Sequence, residues 1–189
     1  MKKNLFIRVD SSPEIGIGHM MRCLTLAQEL KNNFDKVIFL TRKDSDDFME
    51  TIMENGFEVV FLPTQIIKPP KNIHELNNYS DIIKNLITTY TRNKNYLLID
   101  HYDIDSAFEL SLKNTFEKIF VIDDLANRKH NCDLLINKSE KCFGPNVMLS
   151  IILVLSSFSI SNILSLFVLT VSTAVDANSW NIPAREPPP

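Results

Sequence analysis

The sequence predicts an α/β fold, an open parallel sheet of the Rossmann-like kind. Short apolar runs, rich in branched and aromatic residues, alternate along most of the chain with longer stretches of helical periodicity. That alternation is typical of βα units, and each unit fits a right-handed crossover. The apolar runs are nearly continuous, as expected for strands buried on both faces of a parallel sheet. No internal repeat is visible.

The predicted strands follow one another over residues 4–137. Five apolar runs cover residues 5–10, 36–41, 58–62, 96–100 and 118–123, and Leu134 to Ile136 adds a sixth. We expect a parallel sheet of five or six strands in this region. Its predicted core side chains are Leu5, Ile7, Val9, Val37, Phe39, Val59, Phe61, Leu98, Ile99, Ile119 and Val121.

Apolar side chains at helical spacing lie between these strands. The first stripe follows the first strand and consists of Met20, Met21, Cys23, Leu24, Ala27 and Leu30. Further stripes are formed by Phe48, Ile52 and Met53, and by Ile82, Ile83, Leu86 and Ile87. These helices are expected to cover both faces of the sheet.

Charge and cysteine content exclude several classes of protein. Twenty Lys and Arg stand against 23 Asp and Glu, a net charge of −3, so a nucleic-acid partner is not expected. The three cysteines form no even set and no CxxC pair, which disfavours a secreted disulfide scaffold. The first residues contain no apolar stretch long enough for a signal peptide. A cytoplasmic location is therefore expected.

The chain changes character near residue 142. Every charged residue except Asp176, Arg185 and Glu186 lies at or before Lys141, and residues 147–175 carry no charge. We therefore predict an α/β lobe over residues 1–142 and an unrelated, apolar and mostly helical tail over residues 143–189. The tail has two interpretations. It is long enough to cross a bilayer, which would attach the lobe to a membrane, or it is the product of a truncated or frame-shifted copy.

A glycine-containing loop follows the first strand and leads directly into the first helix. Gly16 and Gly18 would let the backbone approach a ligand closely, and the helix start offers N–H groups and a positive dipole end to a phosphate. The dinucleotide fingerprint needs a further glycine where Met21 stands, so no nicotinamide or flavin cofactor is predicted. No Walker lysine is present either, and no cofactor is expected.

His19 ends this loop at the start of the helix. The helix dipole disfavours a charged imidazole there, which keeps the ring neutral near pH 7 and able to accept a proton. The alternative interpretation is that His19 merely caps the helix. The residues alone do not separate the two.

Carboxylates and histidines cluster after the fourth and fifth strands. Asp100, His101 and Tyr102 follow one strand, and the run from Asp123 to Asp133 follows the next. These are ligand types for divalent metals, but their spacing matches no compact metal motif. Asp at a strand end commonly caps the next turn or helix, so no metal site is predicted.

Taken together, these motifs resemble one family. They are Arg8-x-Asp10-Ser11-Ser12, Ile15-Gly16-x-Gly18-His19-x-x-Arg22, Leu26-Ala27, Asp100-His101-Tyr102 and Ile122-Asp123-Asp124-Leu125-Ala126-x-Arg128-x-His130-x-Cys132-Asp133. In this order, over residues 4–137, they resemble the hydrolases of pseudaminic acid biosynthesis that act on UDP-2,4-diacetamido-2,4,6-trideoxy-β-L-altropyranose. GxGH by itself also occurs in related sugar-nucleotide glycosyltransferases of the GT-B fold.

The resemblance implies the N-terminal lobe of a two-lobe GT-B enzyme. Such an enzyme removes UDP from the sugar by attack of water at the anomeric carbon, with inversion and without a metal. The resemblance makes His19 the catalytic base and places Gly16, Gly18 and Tyr102 in the substrate site. His101, Asp10 and Arg22 are the other predicted substrate-site residues, although charged groups at strand ends usually organise the neighbouring backbone.

Three functions remain as hypotheses. The first is UDP-sugar hydrolysis, expected to be impaired because the family's second lobe, which holds most of the UDP, has no counterpart after Asn137. The second is a GT-B glycosyltransferase that uses a UDP-sugar. The third is a catalytically dead fragment, truncated or tethered to a membrane through residues 147–175.

Overall fold

The computed structural model describes residues 1–11, 17–42, 46–63, 73–90 and 92–137. In this part of the chain strands and helices alternate as β1 (Lys3–Val9), α1 (Gly18–Leu30), β2 (Lys36–Arg42), α2 (Asp46–Glu54), β3 (Glu58–Leu62), α3 (Ile73–Ile87), β4 (Lys94–Asp100), α4 (Ser106–Leu112), β5 (Lys118–Asp123) and β6 (Leu134–Asn137). A short 3-10 turn, Thr88–Tyr90, follows α3. The predicted tail over residues 143–189, with its proposed membrane segment, lies outside the described residues.

The six strands form one parallel sheet in the order β3-β2-β1-β4-β5-β6. All five neighbouring pairs are parallel, which confirms the predicted open α/β architecture. The strand order reverses direction at β1, so the chain runs outward first to one edge and then to the other. In such sheets, ligands bind beyond the carboxyl ends of the strands on either side of this reversal.

Both faces of the sheet are covered. On β1, Leu5, Ile7 and Val9 pack in the apolar cluster that includes α1, whereas Phe6 packs in the cluster that includes α3 and α4. This alternation follows from the two-residue period of a strand. Strand β1 is thus buried on both sides, and the residues at its carboxyl end are held in a rigid frame.

Most predicted core positions are buried, but two on β3 are not. Val59 is only half-buried, and Phe61 is 42% exposed. Strand β3 lies at the edge of the sheet and has a neighbouring strand on one side only. Met21 on α1 is likewise exposed, because it lies on the side of the helix that turns away from the sheet. Among the described residues, no helix is both long enough and apolar enough to cross a membrane.

Candidate functional site

A polar pocket lies at the carboxyl edge of the sheet, where β1 and β4 end side by side. Asp10 follows β1, Asp100 ends β4, and the start of α1 brings His19 to the same place. The pocket is lined by Asp10, His19, Asp100, His101, Tyr102 and Asp103. Strands β1, β4 and β5 are adjacent in the sheet.

His19 and Asp100 form a hydrogen-bonded pair at the base of this pocket. The Nδ1 atom of His19 lies 2.6 Å from Oδ1 of Asp100, and both side chains are buried. Burial alone raises the pKa of the Asp100 carboxyl, but hydrogen bonds from Arg22 and His19 outweigh it and hold the pKa below its usual value. Asp100 is therefore ionised at neutral pH and can only accept hydrogen bonds. Nη2 of Arg22 also lies 2.9 Å from Nδ1 of His19, so this nitrogen faces both the carboxylate and the guanidinium. In the tautomer with the proton on Nδ1, the ring donates to Asp100 and the Nε2 lone pair is left to accept a proton.

Arg22 fixes the carboxylate of this pair. Its Nε donates to Oδ2 of Asp100, and its Nη2 donates to Oδ1. Nη1 donates to Oδ2 of Asp124 at 2.7 Å, so one guanidinium joins the end of β4 to the turn after β5. Arg22 lies three residues after His19 on α1, a spacing that places both side chains on the same helix face. The guanidinium engages two carboxylates within the protein, so the structure gives Arg22 an organising position.

Tyr102 packs edge to face against His19. The ring centroids are 4.4 Å apart and the ring planes are nearly perpendicular, at 89°. This is a favourable arrangement of two aromatic quadrupoles. Tyr102 is also 37% exposed, so the ring forms one wall of the pocket while its remaining surface faces solvent.

Asp10 lies at the centre of a second ionic group. Arg8 donates to it from both Nη atoms, at 2.6 and 2.8 Å, and Nε of Arg42 lies 2.9 Å from it. The Nε of Arg8 also donates to the hydroxyl of Tyr79 on α3 at 2.7 Å. Burial raises the pKa of Asp10, but the charge of Arg8 and the hydrogen bond from His101 lower it by more, to well below its usual range. Asp10 is therefore an ionised support of the pocket wall.

His101 is held by both ring nitrogens. The backbone N–H of Asp103 donates to Nδ1 at 3.0 Å, so the proton lies on Nε2, which donates to Asp10 at 3.0 Å. Burial lowers the pKa of His101, although the hydrogen bond to Asp10 opposes this. The ring is consequently neutral, and its two nitrogens are engaged within the protein.

The turn after β5 is built around Asp123. Its two carboxylate oxygens accept hydrogen bonds from the backbone N–H groups of Leu125 and Ala126, at 3.1 and 3.0 Å. Burial raises the pKa of Asp123, but these backbone bonds and the nearby Arg128 lower it by more. Asp123 therefore organises its own turn, as predicted for an Asp at a strand end. It is not among the residues that line the pocket, and Arg22 links Asp124 to His19.

The structure brings together most of the predicted site residues. His19, Asp10, His101 and Tyr102 line one pocket, and Arg22 supports it. Gly18 begins α1, and a side chain there would meet open space within 4 Å. Gly16 lies outside the described residues. Tyr79, Arg42 and Glu109 were not predicted, because their sequence positions carry no motif that distinguishes them from ordinary helix and strand-end residues.

The described residues form neither a metal site nor a reactive thiol. No group of three or more His, Cys, Asp or Glu side chains within the described ranges is arranged to hold a metal ion. Burial raises the pKa of the Cys23 thiol well above its usual value, with Asp100 adding to the effect. Burial likewise raises the pKa of Cys132 to about 11. Neither thiol is therefore a nucleophile at neutral pH.

Comparisons with known proteins show similarity in sequence to one protein and in structure to another, among others. No protein-family model matches the chain. Over 134 residues, 69% of this chain, the sequence is 29% identical to an uncharacterized protein of Methanocaldococcus jannaschii, and the match spans 24% of that relative's length. The crystal structure of Acinetobacter baumannii MurG resembles this chain with a TM-score of 0.45 and 8% identity, over 65% of this chain and 35% of that one.

Proposed function

We propose that the pocket hydrolyses a UDP-sugar, with His19 as the general base and without a metal. The observation that carries the proposal is the 2.6 Å contact between Nδ1 of His19 and the ionised Asp100. The motif resemblance described above supplies the substrate, a UDP-linked diacetamido-trideoxy sugar of pseudaminic acid biosynthesis. In this proposal, residues 1–142 are the N-terminal lobe of a GT-B-type hydrolase.

The chemical step needs only one base. Nε2 of His19 accepts a proton from a water molecule, and the water oxygen forms a bond to the anomeric carbon. The bond between that carbon and the β-phosphate oxygen breaks, and its electron pair leaves with UDP. The imidazolium that forms is stabilised by Asp100, which also holds the ring in the correct tautomer. Attack opposite the leaving group inverts the anomeric carbon.

The leaving group explains why no second carboxyl is required. Ordinary inverting glycosidases need an acid to protonate the leaving oxygen. A diphosphate leaves as a stable anion, so hydrogen-bond donors for its oxygens can replace the acid. Within the described residues, no hydrogen-bonding group contacts Nε2 of His19, so the atom is available to a water molecule.

The start of α1 is suited to the diphosphate. The N-cap residue Ile17 makes no side-chain capping bond, and the first turn contains no acidic side chain. The N–H groups of a helix's first turn and the positive end of its dipole attract phosphate. Gly18 opens this turn, and the space beside its Cα is free. The glycine is not in the left-handed region, and no atom of the described residues crowds the position that a Cβ would occupy. Close approach of a ligand is the reason we propose for a glycine at this position.

The proposal is tested by turnover of the full chain on UDP-2,4-diacetamido-2,4,6-trideoxy-β-L-altropyranose. UDP release should be seen with the wild type and abolished in His19→Ala. Glu29→Ala on the exposed side of the same helix is the matched control and should keep wild-type turnover. Circular dichroism must show that both variants are folded.

Two results would contradict the proposal. One is the absence of UDP release by folded wild-type protein, with calorimetry showing whether the UDP-sugar still binds. The other is transfer of the sugar to an added acceptor alcohol in preference to water, which would indicate a glycosyltransferase.

A further inference from the structure

A buried ionic group next to the pocket takes no part in the proposed chemistry. Glu109 of α4 is completely buried, and its Oε1 lies 2.6 Å from Nδ1 of His130. Its second oxygen accepts the backbone N–H of Asn131. On the other side of the ring, Nε2 of His130 lies 3.4 Å from Oδ2 of Asp123. The imidazole is thus held between two buried carboxylates, one from α4 and one from the end of β5.

Arg128 connects this group to the pocket. Its Nη1 lies 3.1 Å from Oδ1 of Asp123. Its Nε donates to the carbonyl oxygen of Ile104 at 2.8 Å, and its Nη2 donates to the carbonyl oxygen of His101 at 2.9 Å. The two carbonyls lie at the two ends of the segment 101–104. One guanidinium is therefore hydrogen-bonded to both ends of the loop that carries Tyr102.

The position of Tyr102 depends on this loop. The ring is 37% exposed, and its described contact is the edge-to-face packing on His19. Because the side chain of Tyr102 has few packing contacts, the position of its backbone chiefly determines where the ring lies. The loop has two other anchors among the described residues: the hydrogen bond from the His101 ring to Asp10, and the side chain of Ile104, which is buried in the apolar cluster that includes α3 and α4. Arg128 adds a hydrogen bond to the backbone carbonyl of each of these two residues.

We propose that Arg128 is a positioning residue for the pocket, which sets the place of Tyr102 against His19. The Glu109–His130 pair lies behind it, with Nε2 of His130 3.4 Å from Asp123, the carboxylate partner of Arg128. The inference rests on the proposed function for its effect on turnover. Its structural part, the effect on the contact between Tyr102 and His19, stands independently of any reaction.

The test compares Arg128→Met and Arg128→Lys with Lys129→Met in the full chain. Lys129 is exposed, and its replacement removes the same charge one residue away. Lysine keeps the charge but cannot bond two carbonyls in the fork geometry of a guanidinium. A misplacement of about 1 Å can cost about 100-fold in rate, so Arg128→Met should lower kcat by about that factor. Arg128→Lys should fall between Arg128→Met and wild type, and Lys129→Met should match wild type.

A second measurement reads the pocket without turnover. In a perpendicular pair 4.4 Å apart, edge protons of one ring lie over the other and are displaced upfield in the proton NMR spectrum. Assigned by comparison with Tyr102→Phe and His19→Ala, this displacement should be lost in Arg128→Met, reduced in Arg128→Lys and kept in Lys129→Met. KM should change far less than kcat, because Arg128 is not one of the residues that line the pocket.

The outcomes separate this proposal from the proposed function. Retention of the ring displacement in folded Arg128→Met overturns it, as does equal loss in Lys129→Met. Loss of the displacement with unchanged kcat overturns the effect of Arg128 on turnover. If the wild type releases no UDP, the hydrolase proposal fails, and the ring displacement alone decides the role of Arg128. If Arg128→Met does not fold, Arg128→Lys decides by the same two measurements.

Discussion

Replacement of Asp100 by Asn is the most informative single change in the pocket. The Asp100 side chain is 1% exposed, and it accepts two hydrogen bonds from Arg22 and one from His19. An amide of the same shape has one acceptor oxygen, and its NH₂ group must face one of these donors. If the NH₂ faces His19, it donates to Nδ1 and moves the ring proton to Nε2, which removes the base. If the NH₂ group instead takes the place of Oδ2, it faces Nε of Arg22, and two N–H donors then oppose each other with no acceptor between them.

Both effects can be given a magnitude. Loss of an orienting carboxylate behind a catalytic histidine costs up to about 10,000-fold, so we expect kcat to fall at least about 1,000-fold, or about 4 kcal/mol. Unfolding should also become easier. Removal of one partner from a buried ion pair costs about 3–5 kcal/mol. Arg22 is 15% exposed and retains its ion pair with Asp124 in the variant. We therefore expect the free energy of unfolding to fall by the lower value of this range, about 3 kcal/mol.

The assay has two parts, with one control. Steady-state UDP release gives kcat, and urea unfolding gives the free energy of unfolding. Asp81→Asn removes one charge from an exposed ion pair with Lys84 on α3, and it should change stability by less than about 0.5 kcal/mol. Wild-type kcat in Asp100→Asn, within about threefold, would refute the assigned roles of His19 and Asp100.

Three further predictions follow from the same geometry. Gly18→Ala should leave stability unchanged or raise it by up to about 1 kcal/mol, because its side chain meets open space, while calorimetry shows weaker UDP-sugar binding. Stability should fall as the pH drops below about 4, because the pKa values of Asp10 and Asp100 are lowered in the folded protein and the unfolded chain therefore binds more protons in that pH range. A lower urea midpoint at pH 3 than at pH 6 would show this. The thiol of Cys132, with its pKa raised to about 11, should react with a thiol reagent at pH 7 far more slowly in folded than in denatured protein, as peptide mapping would show.

The sheet could be predicted from the sequence because its strands are buried on both faces. Continuous apolar runs such as residues 96–100 then identify strands directly. The same pattern does not tell a central strand from an edge strand. Phe61 was therefore predicted to be core, although it lies on an edge strand and is exposed.

The pocket could be predicted in part, since residues that follow strands of a parallel sheet meet at one edge. From the sequence pattern alone, His19 is therefore predicted to lie near Asp100 and Tyr102. The spacing of His19 and Arg22 also predicts that the two side chains share one face of the helix. The ion pair between Arg22 and Asp124 could not be predicted, because the two residues are 102 positions apart in the chain. Glu109 could not have been found, because one glutamate on a short helix usually faces solvent. Only the fold shows that it is buried against His130.

Hydrolysis in water enriched in ¹⁸O tests most directly whether His19 activates water against the anomeric carbon. We predict that mass spectrometry will find the label in the new hydroxyl of the released sugar and none in UDP, because the bond that breaks is the one between carbon and oxygen. The label should be incorporated by the wild type and by Glu29→Ala, but not by His19→Ala. Label in the β-phosphate of UDP would mean that water attacks phosphorus, and label uptake by folded His19→Ala at the wild-type rate would mean that His19 is not the base.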